Sequence, residues 1–286
     1  MTVTHLPTAT RSSPSRNGQN RSGSASSKRI IVDVLRSEWT RLRTVRSTYW
    51  TLLGAAVAMV GLSVIACSVQ VAQFDKLTAA EKATFNPVTF SLVGGGLGQL
   101  GIGVLGVLII TNEYASGMIR TTFAATPQRL TVLAAKATVF GVVSFLVSTL
   151  SAFAAFFVGQ AILSRKDLGV SIGAPGALRS VVGAGLYLCV LGLLALGLGT
   201  LIRKTAGAIA ALFGVLFIVP VIVSLLPSPI SGIQKYLPSN AGQEIMFGSG
   251  QNSSDVLSPW VGFSVFCLWA IVILAIASVA LVKRDA

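Results

Sequence analysis

The sequence predicts an all-α membrane protein: six transmembrane helices, an N-terminal amphipathic interfacial helix before the first, and a short cytoplasmic helix between spans two and three. Three observations predict it. Of the 286 residues, 53% are hydrophobic and 11% charged, with a mean hydropathy of +0.77, whereas a soluble chain is about a quarter charged. Six apolar runs reach spanning length, about 20 residues for a hydrocarbon core about 30 Å thick. The Lys and Arg residues fall between those runs, in greater number on alternate sides.

Residues 1–29 are rich in Ser, Thr, Asn and Gly and carry Arg11, Arg16, Arg21, Lys28 and Arg29 with no acidic residue. Too little apolar surface is available there to offset the entropy of ordering, so the segment reads as a disordered cytoplasmic tail. It has neither the apolar stretch of a secretory signal nor the amphipathicity of a transit peptide. Residues 30–286 read as one membrane domain.

From Ile30 the pattern changes. Ile31, Leu35, Trp39, Leu42 and Val45 recur every three or four residues, with Arg36, Arg41, Arg43 and Arg46 largely off that line. This spacing is that of an amphipathic helix, and its arginines and tryptophan suit the membrane interface. The apolar runs follow at about 49–71, 88–111, 130–163, 179–202, 206–226 and 259–282. The third is too long for one straight crossing, so its first turns should project into the interface, where Lys136 can extend its head toward water. Pro220 should kink the fifth.

Counting Lys and Arg on alternate sides gives sixteen against six. The basic-rich side is expected to be cytoplasmic, which puts both termini there. The net charge of +13 is thereby explained by topology and does not form a nucleic-acid-binding face. Cys67, Cys189 and Cys267 lie in apolar runs at spacings that suit neither disulfides nor zinc, and read as small core residues. No Asp or Glu lies well inside a span, which argues against an intramembrane proton relay. His5, the single histidine, is in the tail, so the usual intramembrane hydrolase constellations are excluded. Gly94, Gly95, Gly98 and Gly101 in span two, and Gly192, Gly197 and Gly199 in span four, permit close helix approach. A mobile or dimeric interface is the alternative use of such positions.

The segment TNEYASGMIRTTFAATPQRLTVLAAK, residues 111–136, is polar between two apolar runs. Tyr114, Met118, Ile119 and Phe123 repeat at helical intervals with Glu113, Arg120 and Thr121 largely elsewhere, so residues 112–124 should form a short amphipathic helix. Gly117 weakens it by about 1 kcal/mol relative to Ala, which implies a partner surface. Thr126 and Pro127 have the order of an N-cap and first helical position opening span three.

This arrangement resembles the ABC-2 type permeases, the membrane subunits of ABC exporters: an acidic residue, a glycine four on, an arginine, then Pro, Arg and Lys opening the next span. SEWTRLRTVRSTYWTLL at 37–53 is similar to the connecting helix and first span of actinobacterial members. The resemblance covers residues 30–286. It implies that residues 112–124 are the coupling helix that docks on a separate ATP-binding subunit. Glu113 would meet a basic or hydrogen-bonding group there, Tyr114 and Met118 would fill its apolar cleft, and Arg120 would pair with an acidic group. It also implies a second permease subunit, alike or different, and short helices at the external mouth between spans five and six. LPSPISGIQKYLPSNAGQEIMFGSGQNSSDVLSP, 226–259, has the prolines and turn signals of such broken, protein-sheltered structure, with an ordinary extracellular loop as the alternative.

The chain contains no GxxxxGK[ST] loop, so energy would come from the partner, and no cofactor is implied. A passage lined by Gly, Ala, Leu, Val and Phe would suit a hydrophobic or amphipathic cargo. A membrane sensor or scaffold without transport activity is the alternative function.

Overall fold

A computed structural model describes residues 19–119, 121, 129–226, 232–248 and 256–283, with side chains described from Val32 onward. Among these residues the secondary structure is helical, with no strand. Six segments are long and apolar enough to cross a membrane: Arg46–Lys76, Pro87–Ala115, Arg129–Lys166, Ala177–Ile202, Thr205–Ser224 and Pro259–Lys283. They coincide with the six apolar runs read from the sequence. A helix over Gln19–Thr44 precedes them and breaks at Val45, whose extended backbone redirects the chain into the first span.

Two expectations about the N-terminus change. The tail was expected to run to residue 29, yet the helix already begins at Gln19; residues 1–18 lie outside the described residues. Once a helix is anchored by packing farther along, each added residue gains a hydrogen bond without a new nucleation cost. The packed face is also rotated from the apolar line of the sequence. Val34 and Glu38 are buried, whereas Trp39 and Val45 are exposed.

The fourth span is the core of the bundle. Leu188, Leu191, Leu194 and Leu196 are buried in it, and it packs against the second, third and sixth spans. The first, fifth and sixth spans are peripheral and turn large apolar side chains outward, Trp50, Ile222 and Ile271 among them. Such faces suit hydrocarbon surroundings, where backbone groups must be satisfied within each helix.

The second span has two parts. Asn86 caps Pro87–Leu92, its side chain accepting from the N–H groups of Val88 and Thr89, and after a turn at Val93 and Gly94 the helix resumes over Gly95–Ala115. At this turn the Gly94 N–H donates to Ser63 Oγ at 3.2 Å. Gly95, Gly98 and Gly101 also meet side chains of their own chain, those of Met246, Leu188 and Ala55. These glycines serve packing within one subunit.

Around Pro220, where a kink was expected, the helix changes its turn. The span is α-helical over Thr205–Phe213, passes through a π-helical turn at Gly214–Ile218, and returns to α over Val219–Ser224. Proline has no N–H for the carbonyl four residues back, and a wider turn accommodates both the lost bond and the ring.

Between spans five and six, Pro238–Phe247 forms a short helix wedged against the fourth and sixth spans. Gly242 lies under the stacked rings of Tyr187 and Phe266, whose centroids are 5.2 Å apart. This is the protein-sheltered, broken structure expected there; residues 227–231 and 249–255 lie outside the described residues.

Candidate functional site

The starts of the first, third and fifth spans and the ends of the second, fourth and sixth meet at one end of the bundle. Thr205 Oγ1 donates to Thr111 Oγ1 at 2.9 Å, joining spans five and two. Arg129 Nη1 donates to the carbonyl of Leu281 at 3.0 Å, joining spans three and six. At this end four charged side chains from three elements form a cluster.

The cluster is built from a small apolar crossing. Val34 of the N-terminal helix, Gln19–Thr44, is buried with Val132 and Ala135 of the third span. One turn beyond Val34 comes Glu38, and one residue beyond Ala135 comes Lys136, so the crossing sets the two side chains opposite each other. Lys136 Nζ donates to Glu38 Oε2 and to Glu113 Oε1, both at 2.7 Å. Arg41 Nη1 donates to Glu113 Oε1 at 2.9 Å and lies 3.7 Å from Glu38 Oε1. Lys136 is 3% exposed, Glu38 4% and Glu113 8%.

Lys136 therefore does not extend toward water as the sequence suggested. A lysine in the second turn of a span can reach the interface, but here two carboxylates stand within hydrogen-bond reach on the protein side. A buried ammonium is tolerated when paired and hydrogen-bonded. Lys136 is at once the cross-link between the N-terminal helix and the end of span two.

Glu113 occupies that position because the second span continues through Ala115. Residues 112–115 are thus its last turn and not the start of a separate helix. Gly117 ends it with φ of +70°, the left-handed conformation that closes many helices, and helical backbone starts again at Met118. Among the described residues, no atom beyond its chain neighbours lies within 4 Å of a Cβ placed on Gly117, so Gly117→Ala tests mainly backbone conformation. We expect a loss of about 1 kcal/mol of stability, with Gly117→Asn losing less, read from thermal unfolding in detergent.

The other residues singled out from the sequence separate into distinct roles. Met118 is 47% exposed and Thr121 is exposed, its hydroxyl donating to the Met118 carbonyl at 2.8 Å. Tyr114 is half-buried, with the Arg203 guanidinium 5.2 Å from its ring centroid. Trp39, Arg43 and Arg46 are exposed. Arg120, Phe123, Thr126 and Pro127 lie outside the described residues. Sequence reasoning missed Glu38, although it is the one carboxylate among four arginines over residues 36–46.

Beside the cluster lies a cavity of about 440 Å³ between the N-terminal helix and the first and second spans. At the other end of the bundle, Lys166 of the third span pairs with Asp75 of the first. Glu244 also lies there, and its partial burial pushes its carboxyl above the usual range, with Arg179 opposing the shift. Mechanically, the four-residue cluster fastens three segments together. Displacing the N-terminal helix must either carry the ends of spans two and three along or separate buried charges.

No family model matches the chain, and no curated protein matches it.

Proposed function

We propose that this chain is the permease subunit of an ABC-2 type transporter, driven by a separate ATP-binding subunit. It would act beside a second permease subunit in the cell membrane, with both termini cytoplasmic, and export a hydrophobic or amphipathic substrate. The single observation that carries the reading is the Glu38–Lys136–Glu113–Arg41 cluster. It fastens the interfacial helix to the mouth of the loop between spans two and three, and that loop is the one the family resemblance assigns to coupling. An ATPase pressing on this loop would move the interfacial helix and the starts of spans one and three as one body.

Within this reading the roles differ from residue to residue. Met118, exposed beyond Gly117, is the docking contact; Glu113, its Oε1 already shared by Lys136 and Arg41, is a positioning residue. ATP-driven closure shifts the permease between inward and outward states only if the ATPase holds one state more tightly than the other.

The test is to purify the chain from its native membrane and identify what accompanies it. A P-loop ATPase is the expected companion. Met118→Ala should reduce its recovery, while Glu113→Ala should leave more ATPase bound than Met118→Ala yet lower transport-coupled ATP hydrolysis. Purification without any ATPase would favour the sensor or scaffold function instead.

A further inference from the structure

The N-terminal helix has a second face, turned away from the bundle. Its packed side carries Val34 and Glu38, both buried. On the opposite side Val32, Arg36, Trp39 and Arg43 recur every three or four residues, within about 60° of one another at about 100° per residue, and all four are exposed. Among the described residues no carboxylate pairs with Arg36, Arg43 or Arg46, whereas Arg41, toward the packed side, is bound to Glu113. Asp33 is the one exposed acidic residue of this helix among those described. The face therefore carries a surplus of positive charge.

Position decides what such a face meets. Arg43 comes two residues before the break at Val45, and Arg46 is the first residue of the first span. Tyr49 and Trp50, exposed one turn into that span, are of the two residue types that gather at headgroup level. A guanidinium at this depth reaches phosphate oxygens, to which its planar fork donates two hydrogen bonds at once. The Trp39 ring between the two arginines suits the boundary of hydrocarbon and water, with an apolar body and one N–H donor. The apolar line read from the sequence is not free for this role, since Leu35 packs at the Val34 crossing.

We infer that the Arg36–Trp39–Arg43 face, continued by Arg46, binds the headgroups of anionic phospholipids. A zwitterionic headgroup offers the same phosphate but brings its own cation to compete for it, so the charge of the face selects lipids with a net negative charge. The surface belongs to one chain and involves no ATPase, so it stands apart from the transporter reading.

The experiment titrates the full chain in neutral detergent with phosphatidylglycerol or phosphatidylcholine and counts lipids bound per chain by native mass spectrometry. The first phosphatidylglycerol is expected to bind at least about fivefold more tightly than the first phosphatidylcholine, because each basic residue beside an anionic headgroup contributes about that factor. Raising the ionic strength should shrink the difference, since exposed charges are screened. Arg36→Gln combined with Arg43→Gln should weaken phosphatidylglycerol by at least about fivefold and leave phosphatidylcholine unchanged. Lys76→Gln combined with Arg165→Gln removes the same charge from exposed positions at the other end of the bundle, and should alter neither. Equal affinity for the two lipids in the parent, as for a face that serves an acidic protein or a nucleic acid, would overturn the inference. So would a preference that survives in the arginine variant, or an equal loss in the control. The two-lipid comparison and its dependence on ionic strength need no variant, so they hold even if a substitution impairs folding.

Discussion

Lys136→Met is expected to lower the stability of the folded chain by about 3–5 kcal/mol, the usual cost of removing one partner from a buried ion pair. Methionine fills similar space, so little of the loss comes from packing. What remains is Glu38 and Glu113, both nearly fully buried, facing each other with only the half-exposed Arg41 between them. Removing the carboxylate charges should reverse most of the effect: the triple variant Lys136→Met, Glu38→Gln, Glu113→Gln is expected to recover stability, because replacing a whole buried network is far milder than breaking it. Reversible denaturation in mixed micelles measures both. A single-variant loss below about 1 kcal/mol would show that water reaches the cluster and screens it.

Gly94→Val should be the most damaging substitution outside the charged cluster. A Cβ at this position would stand 1.8 Å from the carbonyl oxygen of Met59 and 2.7 Å from Ser63 Oγ. Backbone cannot step aside as a side-chain tip can, so the first and second spans must separate. Overpacking of a tight interface costs about 1–3 kcal/mol and can exceed it. The substitution also disturbs the Gly94 N–H to Ser63 Oγ bond. Gly96, with open space around its Cβ position, is the matched control: Gly96→Ala should fold as well as the parent in the same assay. Equal stability of Gly94→Val and Gly96→Ala would mean that the two spans do not pack as described.

Much of the architecture was legible because membrane spans are specified locally. Each apolar run long enough to cross became a helix, since such a segment satisfies its own backbone hydrogen bonds. Pro220 marked a break for the same reason, though the π-helical turn that absorbs it depends on how the fifth span continues. Glycine runs told that helices approach closely, but not which ones. Only the assembled bundle pairs Gly94 with Met59 and Gly101 with Ala55. The helix expected over 112–124 was divided differently, because residues 112–115 could extend the second span until Gly117 stopped it.

The candidate site was half visible. Glu113 and Lys136 drew notice as charges beside apolar runs, but each was given a partner elsewhere, on another protein or in water. Glu38 went unremarked among its arginines. The sequence by itself determined the six segments long and apolar enough to cross a membrane, their approximate bounds, and that charge is concentrated at their margins, since length, hydropathy and helical period act over neighbouring residues. Which charges meet was decided by the tertiary structure alone. Glu38 and Lys136 are 98 residues apart in the chain, and their contact depends on the rotation of the N-terminal helix about its axis, fixed where Val34 packs against Val132 and Ala135. No periodicity along one helix encodes that angle, because it is set by the side chains of the helix it crosses.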